Sequence, residues 1–433
     1  MFDINQYYKQ AHSGECVENT ALLNYIKSFP QIVLWGGSFL GDAVGKYLLE
    51  NGVNILNYWD LRADSIQSVN GIQCVQPFTT EQKNETLVIF CIGNNVIRGL
   101  LLEELSEKGY KNVIRGDYLY MGAICPFDKT TDIESKQCQG SMCCRFIFCQ
   151  RLSNIVKSRS QSKDPLHMFS ITLVINQRCS LKCKCCTSYM NEYPLKERID
   201  IPLDRICDDI DKFFDAMDSI GTVTVMGGEP FMHPDLSKII QKLLSKHNFG
   251  LISIATSGTY PIKPEQLEGL DDKRINVSFS NYEHAINEKQ KEMMYRNIEL
   301  IKNAGISYTV GITIPEWSVP STLYDLHDTE EQMIAKKTDC VQPPRCMQVK
   351  NGKLHPCDFA TALYSLNLGR YEMDYVDIEH STSKEELKEA IRAFIEQPYY
   401  RTCGHCAGMQ GLTSKAAEQG YMDFKKPIVS EKV

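Results

Sequence analysis

The tightest constraint on this chain is the segment CSLKCKCC, which places Cys179, Cys183 and Cys186 within eight residues, shortly after the apolar run FSITLVI. A loop that leaves a β-strand with three thiols so closely spaced is suited to wrapping one compact metal centre. Three thiolates satisfy three irons of a cuboidal [4Fe-4S] cluster and leave the fourth iron open to another ligand. Zinc is the alternative, because thiolates also hold it tetrahedrally, but its paired CxxC spacing is not what this loop carries. Cys185 adds a fourth thiol nearby.

The rest of the composition fits such a centre. Eighteen cysteines in 433 residues would be out of place as disulfides in a reducing cytosol, where clustered cysteines serve metal or redox chemistry. The start, MFDINQYYKQAHSGE, lacks the charged and apolar regions of a signal peptide, and no stretch offers about 18 consecutive apolar residues. A cytoplasmic protein that binds no membrane is expected. With 43% apolar and 23% charged residues the chain is a folded one, and its length calls for two or three domains. A net charge of -7 supplies no basic field, so nucleic acid is not an expected partner.

Along the chain, residues 1–125 read as a Rossmann-like α/β domain. The strand QIVLW leads into GGSFLG (Gly36 to Gly41), a helical stretch, a second strand NILNYW and then Asp60, the layout of a dinucleotide-binding turn. Ser38 stands where the middle glycine would admit a pyrophosphate, so a turn that needs its glycines only for tightness is the competing reading. LVIFCI is a further strand, and Cys74 and Cys91 belong to apolar strand contexts and are expected in the core. Residues 126–165 form a connector without clear periodicity that gathers Cys138, Cys143, Cys144 and Cys149, with Cys125 just before it.

From residue 166 to 318 strand and helix patterns alternate again. Strands are predicted at FSITLVI, TVTVM, LISIAT, INVSFS and SYTVGITI, and a sixth is not visible. The helix LDRICDDIDKFFDAM carries Leu203, Ile206, Ile210, Phe213 and Met217 on one face, with Cys207 expected in the core beside them. After residue 318 the texture changes. Cys340, Cys346, Cys357, Cys403 and Cys406 appear there, and SKEELKEAIRAFIEQ reads as a helix with Ser383 and Glu386 as a capping box.

The three-cysteine loop, joined by MGGEPFMHPDL at the end of the next strand, resembles the radical S-adenosylmethionine (SAM) superfamily. The resemblance implies a partial (β/α)6 TIM-like barrel over residues 166–318, with motifs at the C-terminal ends of strands where barrel folds place active sites. It also implies that Cys179, Cys183 and Cys186 ligate a SAM-binding [4Fe-4S] cluster and that Gly227, Gly228, Glu229 and Pro230 hold the methionyl amino group. Ser257, and Ser280 or Asn281, are the strand-end polar residues that would lie near the ribose. Family members often carry an aromatic residue where this chain has Cys185, and His233 reads as structural.

Residues 319–433 resemble the auxiliary-cluster module called a twitch or SPASM-like domain. The resemblance implies one auxiliary [4Fe-4S] cluster on Cys357, Cys403, Cys406 and a fourth ligand, Cys340 or Cys346, of which Cys340 has the preferred spacing. The implied activity is reductive cleavage of SAM by an electron from a donor such as flavodoxin or ferredoxin, followed by hydrogen abstraction from a small-molecule substrate. A sugar, nucleotide sugar or cyclitol undergoing dehydrogenation or epimerisation is the expected substrate, with Cys185 a candidate hydrogen donor in the second case. A peptide-modifying maturase and a non-catalytic iron-sulfur or zinc scaffold are the alternatives.

Overall fold

The computed structural model describes residues 2–15, 17–92, 95–131, 149–311, 316–319, 323–340, 343, 345–408 and 412–421. They divide into two compact units, Met1–Ser158 and Arg159–Val433.

In the first unit β1 (Gln31–Trp35), β2 (Asn57–Trp59), β3 (Ser68–Val69), β4 (Ile72–Val75), β5 (Thr86–Phe90) and β6 (Asn112–Arg115) form one sheet in the order β3-β4-β2-β1-β5-β6. Every pairing is parallel except that of β3 with β4. The runs QIVLW and TLVIF are continuously apolar because a parallel sheet is covered on both faces. Val44 and Leu48 of the helix Phe39–Glu50 pack on one face, and Trp35, Trp59, Phe90 and Tyr110 pack on the other. Cys74 and Cys91 are buried in this core.

The GGSFLG turn is explained by closeness of backbone. A Cβ on Gly41 would lie 1.8 Å from the Gly36 carbonyl oxygen, and Gly36 itself has a φ of 121°. Asp60 is buried, and both its carboxylate oxygens are already engaged. One accepts from Gly37 N–H at 2.9 Å, and the two together accept from the Arg62 guanidinium at 3.0 Å each. The geometry accounts for these residues as a tight turn.

The connector departs from its reading in one respect, because Gln150–Arg159 is a helix burying Leu152, Ile155 and Val156. Its apolar set is only three residues long amid polar neighbours, too short to register as periodicity. Cys138, Cys143 and Cys144 lie outside the described residues.

The second unit is built on β7 (His167–Val174), β8 (Ser219–Met226), β9 (Phe249–Thr256), β10 (Ile275–Phe279) and β11 (Tyr308–Val310), all parallel. Its helices bury matched stripes: Ile206, Ile210 and Phe213 in Leu203–Ala216, and Leu236, Ile239, Ile240 and Leu243 in Leu236–Leu244. Cys207 is half-buried at the edge of its helix rather than in the core, since Ile206 and Ile210 take the inner positions. β12 (Glu316–Val319) pairs outside this sheet, and β13 (Met347–Lys350), β14 (Lys353–His355) and β15 (Val376–Asp377) extend it.

The order among the described residues is β11-β10-β9-β8-β7-β13-β14-β15, an open α/β sheet consistent with a partial barrel core. The sixth parallel strand, β13, lies beside β7 and not beyond β11, so the C-terminal region continues the same sheet. Asn351 and Gly352, both with positive φ, make the tight hairpin between β13 and β14. β16 (Leu412–Lys415) pairs antiparallel with β12. The helix Lys384–Glu396 is capped by Ser383, whose hydroxyl accepts Glu386 N–H at 3.1 Å, while the Glu386 carboxylate is held mainly by Thr382, with the Ser383 backbone N–H beside it. No helix among the described residues is long and apolar enough to cross a membrane.

Candidate functional site

The site grows from the C-terminal ends of β7, β8 and β9. Just past β7, fully buried Asn176 donates from its amide nitrogen to the Glu229 carbonyl at 2.9 Å, and its amide oxygen accepts from Gly228 N–H at 3.1 Å. Glu229 N–H donates to the Arg178 carbonyl at 2.6 Å. The glycines permit this contact, since a Cβ on Gly227 would lie 2.3 Å from the Asn176 amide oxygen and one on Gly228 2.2 Å from the Arg178 carbonyl. The cysteine loop and the GGEP turn are thereby laid against each other. Pro230 opens the short turn Pro230–Met232.

Glu229 is 1% exposed, and burial raises its carboxyl pKa against four donors that lower it. One oxygen accepts from the Thr256 hydroxyl at 2.7 Å and Phe231 N–H at 3.4 Å; the other accepts from the Ser257 hydroxyl at 2.8 Å and Ser257 N–H at 3.1 Å. The Ser257 hydroxyl continues to Thr259 at 2.9 Å, and Thr259 to Ser180 at 2.9 Å, beside Cys179. Asn176, Thr256, Thr259 and Ser180 escaped sequence reasoning, because single polar residues at strand ends carry no local signature. Buried His233 donates from Nε2 to the Ile201 carbonyl at 3.0 Å and accepts Asp235 N–H at Nδ1, which is a structural arrangement. Ser280 bonds the Tyr282 hydroxyl, and the Asn281 side chain caps Glu283 N–H.

Cys179, Cys183 and Cys186 are free thiols. Burial pushes Cys179 up to about 12, helped by Glu229, Cys186 and Cys183 close by, and pushes Cys183 up to about 11, with Cys186 adding to it. Cys186 is raised by burial while backbone N–H groups of Met190, Ser188 and Tyr189 oppose the rise. Tyr282 stands near all three thiols, with its ring edge-to-face on Trp317 at 5.5 Å. Among the described residues no set of three or more Cys, His, Asp or Glu side chains is already closed around a metal-sized centre. The residues nevertheless fit a cluster, because three mutually close free thiols share one loop with backbone N–H donors aimed at sulfur.

Cys185 points elsewhere. It is 5% exposed and packs with Tyr189, Phe359, Ala362, Leu363 and Leu323. Cys357 caps the helix Asp358–Ser365 by accepting Ala360 N–H at 3.4 Å, and it is close to Cys403 and Cys406. Cys340 is near Cys403, whereas Cys346 is bonded to Ser170 and lies near Asp358 and Cys340. Buried Asp374 fixes the CGHC turn by accepting from Arg401 N–H at 2.7 Å and Thr402 N–H at 2.6 Å. Asp358 is raised to about 6 by burial and sits near Cys186 and Cys357 alike.

Residues 173–318, which carry the cysteine loop, the GGEP turn and β8 to β11, match the model of the Radical SAM superfamily. They form a radical SAM domain. A GTP 3',8-cyclase of Aquifex aeolicus (strain VF5) is 29% identical over 140 residues, 31% of this chain and 41% of that protein. The antilisterial bacteriocin subtilosin biosynthesis protein AlbA of Bacillus subtilis (strain 168) is 23% identical over 179 residues, 39% of this chain and 37% of that protein. The match thus spans well under half the length of either relative. Among solved structures, BtrN in complex with AdoMet and 2-DOIA aligns at a TM-score of 0.38 and 14% identity, over 58% of this chain and 96% of that one. Within the radical SAM domain, a [4Fe-4S] cluster and SAM are the cofactors that the family brings.

Proposed function

We propose that this chain reductively cleaves SAM and takes a hydrogen atom from a small, carbohydrate-derived substrate, a sugar, nucleotide sugar or cyclitol. The observation that carries the reading is the gathering of the Cys179, Cys183 and Cys186 thiols beside buried Glu229 at the ends of β7 to β9. Cys179, Cys183 and Cys186 would hold a [4Fe-4S] cluster, which when bound would supply the electron for reductive cleavage of SAM. The chain's own residues hold the geometry: the Glu229 hydroxyl network fixes the GGEP turn, and Tyr282 with Trp317 walls the space by the thiols. Gly227, Gly228, Glu229, Pro230 and Ser257 are the proposed SAM contacts, with Ser280 acting through Tyr282.

Cys357, Cys403, Cys406 and Cys340 are the proposed auxiliary ligands. Dehydrogenation is preferred over epimerisation, because Cys185 is packed among apolar side chains and poorly placed to return a hydrogen. We assign the work to a reducing, cytoplasmic setting with flavodoxin or ferredoxin as electron donor, and the Met1–Ser158 unit to a supporting Rossmann-like role. A peptide substrate is the second reading, favoured by the likeness of part of the chain to AlbA.

The test is anaerobic. Dithionite-reduced, reconstituted protein should make 5'-deoxyadenosine from SAM, and alanine at Cys179, Cys183 and Cys186 together should abolish it; undiminished turnover would sink the reading. With nucleotide sugars and aminocyclitols in deuterium oxide, a product lighter by two hydrogens marks dehydrogenation. A product carrying one deuterium at an inverted carbon marks epimerisation.

A further inference from the structure

The segment after the last cysteine returns to the first cysteine loop. Lys184 N–H donates to the Glu418 carbonyl at 2.6 Å, and Gly420 N–H donates to the Lys182 carbonyl at 2.9 Å. Asn191 donates from its amide to the carbonyls of both Cys183 and Gly420, at 2.9 and 3.1 Å. The His284 ring donates from Nε2 to the Ala416 carbonyl at 2.9 Å, while Ala416 and Ala417 are fully buried. Residues 416–420 therefore lie along the cysteine loop as a strap, anchored upstream by the pairing of β16 with β12.

Within the strap, the Gln419 amide has only one consistent orientation. Lys182 N–H can only donate, so the Gln419 atom 2.8 Å from it is the oxygen. The amide nitrogen then donates to the Ala417 carbonyl at 2.7 Å and to the Cys183 sulfur at 3.5 Å. A donor at sulfur stabilises the electron-rich state of a thiolate-bound centre, and such bonds are among the factors that set iron-sulfur potentials.

We propose that Gln419 is a positioning residue of the first cluster, whose N–H bond to Cys183 raises the cluster's reduction potential while the strap of residues 416–420 shields that ligand. The inference rests on the reading of Cys183 as a ligand. Gln419 is exposed, so its replacement leaves the core intact.

The experiment uses the full chain, reconstituted anaerobically, with the first cluster's midpoint read by spectroscopically monitored redox titration. Gln419→Leu removes every bond of the amide without adding charge, whereas Gln419→Glu keeps an acceptor for Lys182 N–H, removes the donor and adds a negative charge beside Cys183. Both should move the midpoint to more negative values, by up to about 59 mV, a tenfold lower reduced-to-oxidised ratio for a one-electron couple. The auxiliary centre should not shift. An unshifted midpoint in Gln419→Leu would overturn the tuning role, since a shift in Gln419→Glu alone is what the added charge produces. Retention of the first cluster in Cys183→Ala would instead remove the ligand assignment beneath it.

Discussion

The Thr256 hydroxyl donates to one carboxylate oxygen of Glu229 at 2.7 Å, so the last residue of β9 holds the acidic residue that follows β8. Both groups are buried, and a buried carboxylate that loses a donor bears the desolvation cost of the unmet oxygen. Thr256→Val keeps the shape and removes the donor, and it should destabilise the second unit by about 1–3 kcal/mol. Chemical denaturation of the cluster-free protein measures this. A loss under about 0.5 kcal/mol would mean the bond is not formed.

Gly228→Ala should detach the cysteine loop from the GGEP turn. The new Cβ meets the Arg178 carbonyl carbon and oxygen and Cys179 Cβ, none of which is the loose end of a flexible side chain. Iron in reconstituted protein should fall by about four atoms per chain, the content of one [4Fe-4S] cluster, with the auxiliary iron retained. Full iron in this variant would show that the loop tolerates displacement.

Cys340→Ser and Cys346→Ser should differ. Cys340 lies close to Cys403, whereas Cys346 is bonded to Ser170 at the start of the sheet extension. Serine at Cys340 should cost the auxiliary cluster, and serine at Cys346 should leave it in place, as read by iron content and the cluster's absorption. The reverse outcome would hand the fourth position to Cys346.

Lys350 gives a dependence on pH. It is 6% exposed, donates to the Ser365 hydroxyl at 2.8 Å and more distantly to Tyr193, and burial lowers its pKa from 10.5 to about 7. Between pH 7 and 10.5 the unfolded chain holds a proton that the folded chain lacks, so this residue makes stability rise with pH across that window. Lys350→Met should therefore stabilise the protein most at or below pH 7, by a few degrees in Tm, and the gain should vanish near pH 10.5. The difference between variant and parent isolates Lys350 from the cysteines that titrate in the same range. A gain that does not change with pH would refute the buried-charge account.

Sequence alone determined the chemistry-bearing loop and its frame. Cys179, Cys183 and Cys186 share eight residues, and the strands around them are written as apolar runs, because a strand buried on both faces must be apolar along its own length. Apolar residues at helical spacing placed the helix over Leu203, and Ser383 three residues before Glu386 marked the cap. Tertiary structure decided what touches those residues. Gln419 meets Cys183 across 236 positions, Thr256 and Ser257 close on Glu229 from another strand, and β13 joins the β7 edge. A hydroxyl or amide reads alike in a solvated loop and in a buried network, since its worth depends on the partner and the water excluded around it. That choice is made by the packing of the whole unit, and no local pattern records it.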